Sequence, residues 1–268
     1  MLSSWSQATL ALWRYRGFVW HQWWHEFRAR YQGTGLGMFW HVLQPLTMLL
    51  VYALVFSEIM ASRMKIGDQT IAYTPYLCAG LLAWNYWSEG ITRVTQMYVE
   101  SAPMLKKIRF PRLLLPVLVL GQSILQFVMF GLLLLAYLAI VGAWPGWALL
   151  WLPVLWLSLT LWIVGLGSVL SVLHVFSRDV GQLLGSAMQW WFWLTPVVYP
   201  ITVLPPIVRD LMALNPLFHV LQAFHAVLLG HRAPDPVHLL WPAVLGMLLL
   251  LYGAWLTRRQ MRDMLDAL

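Results

Sequence analysis

The sequence predicts an all-α membrane protein with six transmembrane helices, an N-terminal amphipathic interface helix and re-entrant helices between spans five and six. The chain of 268 residues is 60% hydrophobic and only 10% charged, whereas a soluble domain carries about 25% charged residues. Its apolar runs have the length of membrane-spanning helices. The net charge is +7, and the lysines and arginines lie between those runs. There they set the topology and contact anionic lipid headgroups, so no nucleic-acid partner is expected.

Residues 1–37 form the first predicted domain, a helix that lies in the membrane interface with its aromatic side down. No apolar core with a small-residue cleavage site is present there, so we expect no cleaved signal peptide. His21 and His25 are four residues apart, but no carboxylate or thiol lies at a fitting spacing, and we expect no metal site. The strip that recurs every three or four residues consists of Trp13, Gly17, Trp20, Trp24, Phe27 and Tyr31, and it is aromatic except at Gly17.

The second predicted domain, residues 38–268, contains the six spans. They cover residues 38–61, 70–92, 113–141, 147–175, 183–199 and 237–256. With this arrangement thirteen lysines and arginines lie on one side of the membrane and four on the other, which predicts that both termini are cytoplasmic. A seventh span at 207–230 would move Arg258, Arg259 and Arg262 to the outside, so parity favours a re-entrant segment over a span.

The segment 190–230 is the one around which the rest of the chain is organised. It is too apolar for an aqueous loop and carries five prolines, each of which removes a backbone donor and clashes with the preceding turn. We therefore predict that a helix ends near Tyr199 and that short re-entrant helices occupy 200–230. Irregular backbone at membrane depth is tolerated against protein or a water-filled cavity and is typical of translocation pathways. A proline-rich hairpin that only joins two spans is the alternative.

Several kinds of chemistry are excluded by what the sequence lacks. No lysine follows a glycine, so there is no Walker A phosphate loop, and no HExxH or GxSxG motif occurs. The one cysteine, Cys78, cannot form a disulfide or a thiolate metal site within the chain. The acidic residues Glu58 and Glu89 lie near predicted span ends, where a paired or hydrated carboxylate is expected rather than a proton relay. We predict no catalytic residue, metal or cofactor in this chain.

The segment 98–112 between spans two and three combines basic and apolar residues. It contains ESAPMLKKIRFPR at 100–112, in which Pro103 and Pro111 bracket a piece as short as one stubby helix. A basic loop held by anionic lipid is one interpretation. The interleaved apolar residues favour the other, a docking element that fits a groove on a partner.

Four blocks of the chain carry a family resemblance when they are taken together. The blocks are RARYQGTGLGMFWHVLQPL at 28–46, LCAGLLAWNYWSEG at 77–90, LKKIRFPRLLLP at 105–116, and FSRDVGQLLGSAMQWWFWLTPVVYP at 176–200 followed by LNPL at 214–217. They resemble the membrane subunits of ABC-2 type polysaccharide exporters, which move O-antigen, capsule or teichoic acid polymers. The blocks occur in that family's order and cover nearly the whole chain. The load of 18 tryptophans is heavier than the family pattern requires.

The resemblance implies a half-transporter. Two copies of the chain would pair and recruit two ATPase subunits, which bind the ATP and Mg²⁺. Arg178 and Asp179 would lie at the cytoplasmic start of span five, where an acidic residue suits the helix dipole, and an ion pair between them would fix that start. The residues implied in ATPase coupling are Leu105, Lys106, Lys107, Ile108 and Arg109. Spans one and five would line the conduit, with Tyr52, Phe56, Trp190, Trp193 and Tyr199 as candidate contacts to the apolar faces of sugars.

The function implied is ATP-driven export of a lipid-linked polysaccharide, best matched by O-antigen, across the cell inner membrane. Capsular polysaccharide or teichoic acid export remains open within the family. A small-molecule ABC-2 efflux permease is a further alternative, although such proteins tend to carry an extracellular domain or a fused ATPase. A membrane glycosyltransferase would need clustered acidic residues for a divalent metal, and the cytoplasmic loops offer only isolated ones.

Overall fold

A computed structural model describes residues 2–29, 33, 35–59, 64–66, 69–71, 73–107 and 114–267. Nearly all of these residues are helical, which confirms the helical class. Among the described residues, short 3₁₀ turns at Gly37–Phe39, Gly146–Trp151 and Ile201–Val203 lie between the helices. The α-helices are α1 (Leu2–Ala29), α2 (Trp40–Ile59), α3 (Tyr73–Glu100), α4 (Ala102–Lys107), α5 (Leu115–Ile140), α6 (Leu152–Phe176), α7 (Asp179–Trp193), α8 (Pro206–Met212), α9 (Pro216–Leu228) and α10 (Pro236–Ala267).

Three segments of the described chain are helical, long and apolar enough to cross a membrane. They are Leu115–Ile140, Gly146–Phe176 and Pro236–Met264, and they coincide with predicted spans three, four and six. Helices α8 and α9 together are apolar enough for a fourth, but they meet at 97°. Spans one, two and five correspond to α2, α3 and α7, whose lengths and compositions do not by themselves identify them as spans, and the count of six stays a prediction.

Two features of the chain differ from the sequence prediction. Helix α7 ends at Trp193 instead of near Tyr199, because Pro196 has no N–H and the last helical bond, from Leu194 N to Trp190 O, is followed by turns. Between α2 and α3, strands β1 (Met64–Ile66) and β2 (Gln69–Ile71) form an antiparallel hairpin with Lys65 opposite Thr70. These strands depart from the all-α prediction, and β2 takes up the first residues of predicted span two.

The core of the protein lies where α3 packs against α6, with α10 covering the other side of α6. Trp87 on α3 and Trp162 on α6 are fully buried and stack with ring centroids 5.1 Å apart. Helices α6 and α10 approach through glycines: a Cβ added to Gly246 would lie 2.8 Å from the backbone nitrogen of Trp162. Without a hydrophobic driving force between helices in lipid, such close packing of small residues is what holds them together.

Helix α1 is attached to the helical body by its C-terminal half. The indole N–H of Trp23 donates to the carbonyl of Leu118 at 3.0 Å, and its ring fills the space over Gly121 on α5, leaving no room for a Cβ there. Arg93 on α3 pairs with Glu26 on α1 at 3.1 Å and with Glu89 one turn earlier on α3 at 2.9 Å. Trp23 lies outside the predicted aromatic strip, and its indole anchors α1 to α5.

Candidate functional site

Helix α7 has two different faces, although its last turn reads WWFW. Trp191 and Phe192 turn inward, where Trp191 meets Trp87 edge to face at 5.0 Å and Phe192 meets Trp84 at 5.1 Å. Trp190 and Trp193 turn away from the protomer and are 73% and 64% exposed. The outward face of α7 therefore presents two large aromatic rings that the described residues leave mostly exposed.

The chain after α7 is held by tyrosine hydroxyls from the first turn of α3. Tyr73 donates to the carbonyl of Val198 at 2.6 Å, and Tyr76 donates to the carbonyl of Tyr199 at 3.1 Å. These carbonyls belong to irregular backbone, and irregular backbone at membrane depth needs such internal partners. His225 on α9 stacks on the Tyr76 ring with centroids 4.0 Å apart, so α3 connects the end of α7 to the second of the two bent helices.

Asn215, just before α9, also holds the end of α7 in place. Its side-chain oxygen accepts from Leu217 N at 3.1 Å, which makes it the N-cap of α9, and from the indole N–H of Trp191 at 3.3 Å. Its amide nitrogen donates to Thr195 Oγ1 at 3.0 Å. Asn215 lies in the quoted LNPL block but was not selected as a site residue. An asparagine just before a proline that opens a helix is the signal for this role.

Of the five predicted conduit residues, three lie together and one lies elsewhere. Trp190, Trp193 and the half-buried Tyr199 cluster at the end of α7, where the Tyr199 hydroxyl donates to the carbonyl of Trp193. Tyr52 is half-buried on α2, which packs mainly on α3 and α5, whereas α7 packs mainly on α3 and α6. Phe56 also lies on α2, but its side chain is outside the described set. Whether any of them contacts a polymer stays a prediction.

A cavity of about 150 Å³ lies between α2, α3 and α5. Tyr52 lines one wall of it, and Asn85, Glu89 and Gln126 line the others. The lone Asn85 within the apolar run of the quoted GLLAWN block was not selected from the sequence, although a polar residue within a membrane span is a functional hypothesis by default.

Comparison with known proteins assigns the family. The chain matches the ABC-2 type transporter family over residues 18–229. The chain belongs to that family. It is 31% identical over 242 residues to an O-antigen export system permease protein, RfbA, of Myxococcus xanthus, which covers 89% of this chain and 90% of that protein. Two proteins of the same description from Klebsiella pneumoniae are 23% and 25% identical over 76% and 72% of this chain and 77% and 72% of their own lengths. The family resemblance of the four sequence blocks is thus confirmed.

In this ABC-2 family chain, α4 is the stubby helix expected between spans two and three. Its Leu105 is only 9% exposed and packs in the protomer's own core, whereas Lys106 is exposed. Leu105 thus faces the membrane domain, whereas Lys106 is open to a partner. The backbone of Lys107 ends the helix and its side chain lies outside the described set, as do Ile108 and Arg109 entirely.

The start of α7 differs in one respect from the expectation. Arg178 and Asp179 are both exposed there, and the salt bridges of the described residues do not include one between them. Adjacent side chains in the first turn point in different directions, which separates the two charges. Packing fixes this corner instead: the buried ring of His174 on α6 lies so close to Gly181 that a Cβ there would be 2.8 Å from it. Among the described residues, no group of three or more His, Cys, Asp or Glu side chains is placed to hold a metal ion.

Proposed function

We propose that this chain is the membrane-spanning permease subunit of an ATP-driven exporter that moves lipid-linked polysaccharide, in the first place O-antigen, across the inner membrane. The observation that carries the proposal is the 31% identity to an O-antigen export system permease over 89% of the chain. The matched region includes the helices that the geometry singles out, α2, α3, α7 and the bent pair α8 and α9. Export of capsule or teichoic acid polymers, or of a small molecule, is the alternative.

The outward face of α7 supports a polymer substrate. Sugars have apolar C–H faces that pack on aromatic rings, and a sliding chain needs several weak contacts in place of one tight site. Trp190 and Trp193 offer two such rings, and the hydrogen bonds from Tyr73, Tyr76 and Asn215 hold the end of α7 in place. With two copies of the chain, the exposed faces of α2 and α7 would enclose the conduit, so the permease works as a homodimer.

The energy source lies in a partner. This chain contains no Walker A loop, so ATP and Mg²⁺ are bound by a separate ABC ATPase, two copies of which serve the homodimer. Helix α4 is the coupling element, and Lys106, followed in sequence by Lys107 and Arg109, supplies the positive charge that contacts the ATPase. Since Leu105 is packed in the protomer, ATPase movement at α4 is passed directly to the core around α3.

The positive-inside rule gives the orientation, with both termini in the cytoplasm and the multi-pass protein in the inner membrane. The cavity then lies in the cytoplasmic half of the membrane, and the tyrosines of α3 and the bent pair lie in the outer half. The bent pair is re-entrant in this arrangement, entering and leaving on the outer side.

Two measurements test the proposal. The tagged chain, purified in mild detergent, is expected to bring down an ABC ATPase in equimolar amount. A strain without the gene is expected to lose surface polysaccharide and to accumulate it on the lipid carrier inside the cell, and the wild-type chain restores it. Recovery of the folded chain alone, or a deletion strain with normal surface polysaccharide, would contradict the proposal. Loss of capsule in a strain whose O-antigen is intact would favour capsular polysaccharide as the substrate in place of O-antigen.

A further inference from the structure

We propose that the cavity between α2, α3 and α5 is a binding subsite for one neutral sugar ring of the exported polymer. The class of ligand rests on the proposed function, whereas the existence of a polar, ligand-sized site rests on the residues that line it. The site lies inside each protomer. It is therefore distinct from the α7 face, which needs a second copy to enclose it.

Polar side chains from three helices border the cavity beside its apolar walls. Gln44 from α2, Asn85 and Glu89 from α3, and Ser123 and Gln126 from α5 all border it. Polar side chains within spans are costly against lipid, and they mark substrate pathways or water-filled cavities. Asn85 is exposed in the middle of α3, although the residues before and after it in the sequence are almost all buried.

One lining residue lacks a partner. Ser123 is fully buried, and its hydroxyl has no hydrogen bond to any other described residue. A buried hydroxyl without a partner is destabilising, so its place in the wall of a cavity indicates that a ligand hydroxyl completes it. The side chain of the nearby Asn85 also forms no hydrogen bond within the described chain. Its amide can both donate to and accept from a sugar hydroxyl, which has the same two capacities.

The apolar part of the wall is aromatic. Tyr86, Phe127 and Phe130 are buried side chains that border the cavity, and the half-buried Tyr52 faces them from α2. The Tyr86 hydroxyl is occupied by Thr160 at 2.8 Å, so its ring serves the cavity as an apolar surface. Aromatic walls with a few amide and hydroxyl groups match a ring that has C–H faces and a hydroxyl rim.

Charge and size decide against other occupants. The lining contains the carboxylate of Glu89, which is paired with Arg93, and no lysine or arginine. The His41 imidazole also borders the cavity, and its Nε2 lies 3.1 Å from the Phe27 carbonyl. The lining thus offers a carboxylate, amides and hydroxyls but no permanent cation, so it fits a neutral ligand better than a phosphate. A volume of about 150 Å³ is well below the roughly 300–1,000 Å³ of pockets for drug-sized ligands. The space therefore suits one ring and excludes a folded stretch of polymer.

The test is thiol protection in the purified, folded chain, held in a detergent without a sugar headgroup. Cys78 is replaced by Ala, and Ser123→Cys adds a thiol in the cavity wall. The rate of modification by 2-aminoethyl methanethiosulfonate is measured with a panel of methyl glycosides and with sorbitol at equal concentration. Ser177→Cys, exposed between α6 and α7, is the matched control. If Ser123→Cys does not fold, Gln126→Cys takes its place.

We expect at least one methyl glycoside at about 100 mM to slow modification roughly threefold, as a Kd of about 50 mM would produce. Sorbitol leaves the rate unchanged, and no glycoside affects the control thiol. Adding Asn85→Ala removes the protection. Three results overturn the proposal: a modified thiol that no glycoside protects, a thiol that the reagent does not reach, and equal protection by sorbitol. The assay contains neither ATPase nor polymer, so its failure is separate from failure of the export proposal.

Discussion

The tryptophans of α3 and α6 and those at the end of α7 lie in opposite surroundings. Trp87 and Trp162 are fully buried against each other, whereas Trp190 and Trp193 are mostly exposed. Both pairs come from apolar runs of similar composition. The first pair holds helices together, and the second leaves its rings available to a substrate or a second copy. One residue type therefore serves both the scaffold and the proposed conduit.

The largest expected effect on stability comes from truncating the buried pair. Trp87→Ala removes contacts to Trp84, Trp162 and Trp191 and leaves a cavity. We expect the free energy of unfolding to fall by about 3 kcal/mol, which is at the low end for a buried aromatic residue. The effect is at the low end because lipid, unlike water, is as apolar as the protein interior, so burial of the ring contributes less. The melting temperature in detergent, measured by size exclusion after heating, should fall by roughly 10 °C.

Trp190→Ala is the matched control and should leave the melting temperature within about 2 °C, because an exposed side chain contributes little to the fold. Equal losses from Trp87→Ala and Trp190→Ala would erase the distinction between the two pairs.

Two glycines provide a second comparison between a packed and an open position, with the next largest expected effect on stability. Gly246→Ala on α10 should cost about 1–3 kcal/mol, because its Cβ would press on the backbone of Trp162. Gly185→Ala on α7 meets no atom within 4 Å and should be neutral or stabilising by up to about 1 kcal/mol through helix propensity. Both are measured by the same heating assay. A stable Gly246→Ala variant would show that α6 and α10 do not depend on close approach.

Asn215→Ala tests the junction between scaffold and α7 face. It removes the N-cap of α9 and the bonds to Trp191 and Thr195, and it should cost about 1–2 kcal/mol. Asn215→Asp keeps the acceptor for Leu217 N and Trp191, so it should recover most of that loss in the heating assay. If both variants were as stable as the wild type, the bent segment would be held by other contacts.

The smallest effect on stability is expected at the exposed side of α4. Lys106→Glu should change the free energy of unfolding by less than about 0.5 kcal/mol. It should nevertheless lower the ATPase activity of the co-purified complex and the recovery of the ATPase in a pull-down. Arg258→Glu, another exposed cytoplasmic charge in the proposed orientation, is the control. Unchanged recovery and activity with Lys106→Glu would remove α4 as the coupling element.

Composition and proline spacing predict much of this fold, and the limits of that prediction have a physical cause. The five prolines indicate broken helices after Trp190, and the structure forms α8 and α9 at 97° there. The direction in which each tryptophan of WWFW points depends on how α7 is rotated against α3 and α6, which is set by packing between distant segments. For the same reason, Leu105 was assigned to a partner's groove although it packs inside the protomer.

The candidate site was predicted less completely than the fold. Trp190, Trp193 and Tyr199 do lie together, but the tyrosines of α3 that hold the adjacent backbone are separated from it by more than a hundred residues. Nothing local in the sequence marks Tyr73 or Tyr76 as donors to the carbonyls after α7. Asn215 and Asn85, in contrast, carried local signals, a helix cap before proline and a lone amide in an apolar run.

The most direct test of the account is surface polysaccharide in a strain that lacks the gene and carries the Trp190→Ala/Trp193→Ala double variant. If these rings contact the moving polymer, the loss of two aromatic contacts should lower surface polysaccharide roughly tenfold. The amount and melting temperature of the protein should match those of the wild type. Wild-type surface polysaccharide at equal protein abundance would contradict the assignment of the outward face of α7 to the conduit.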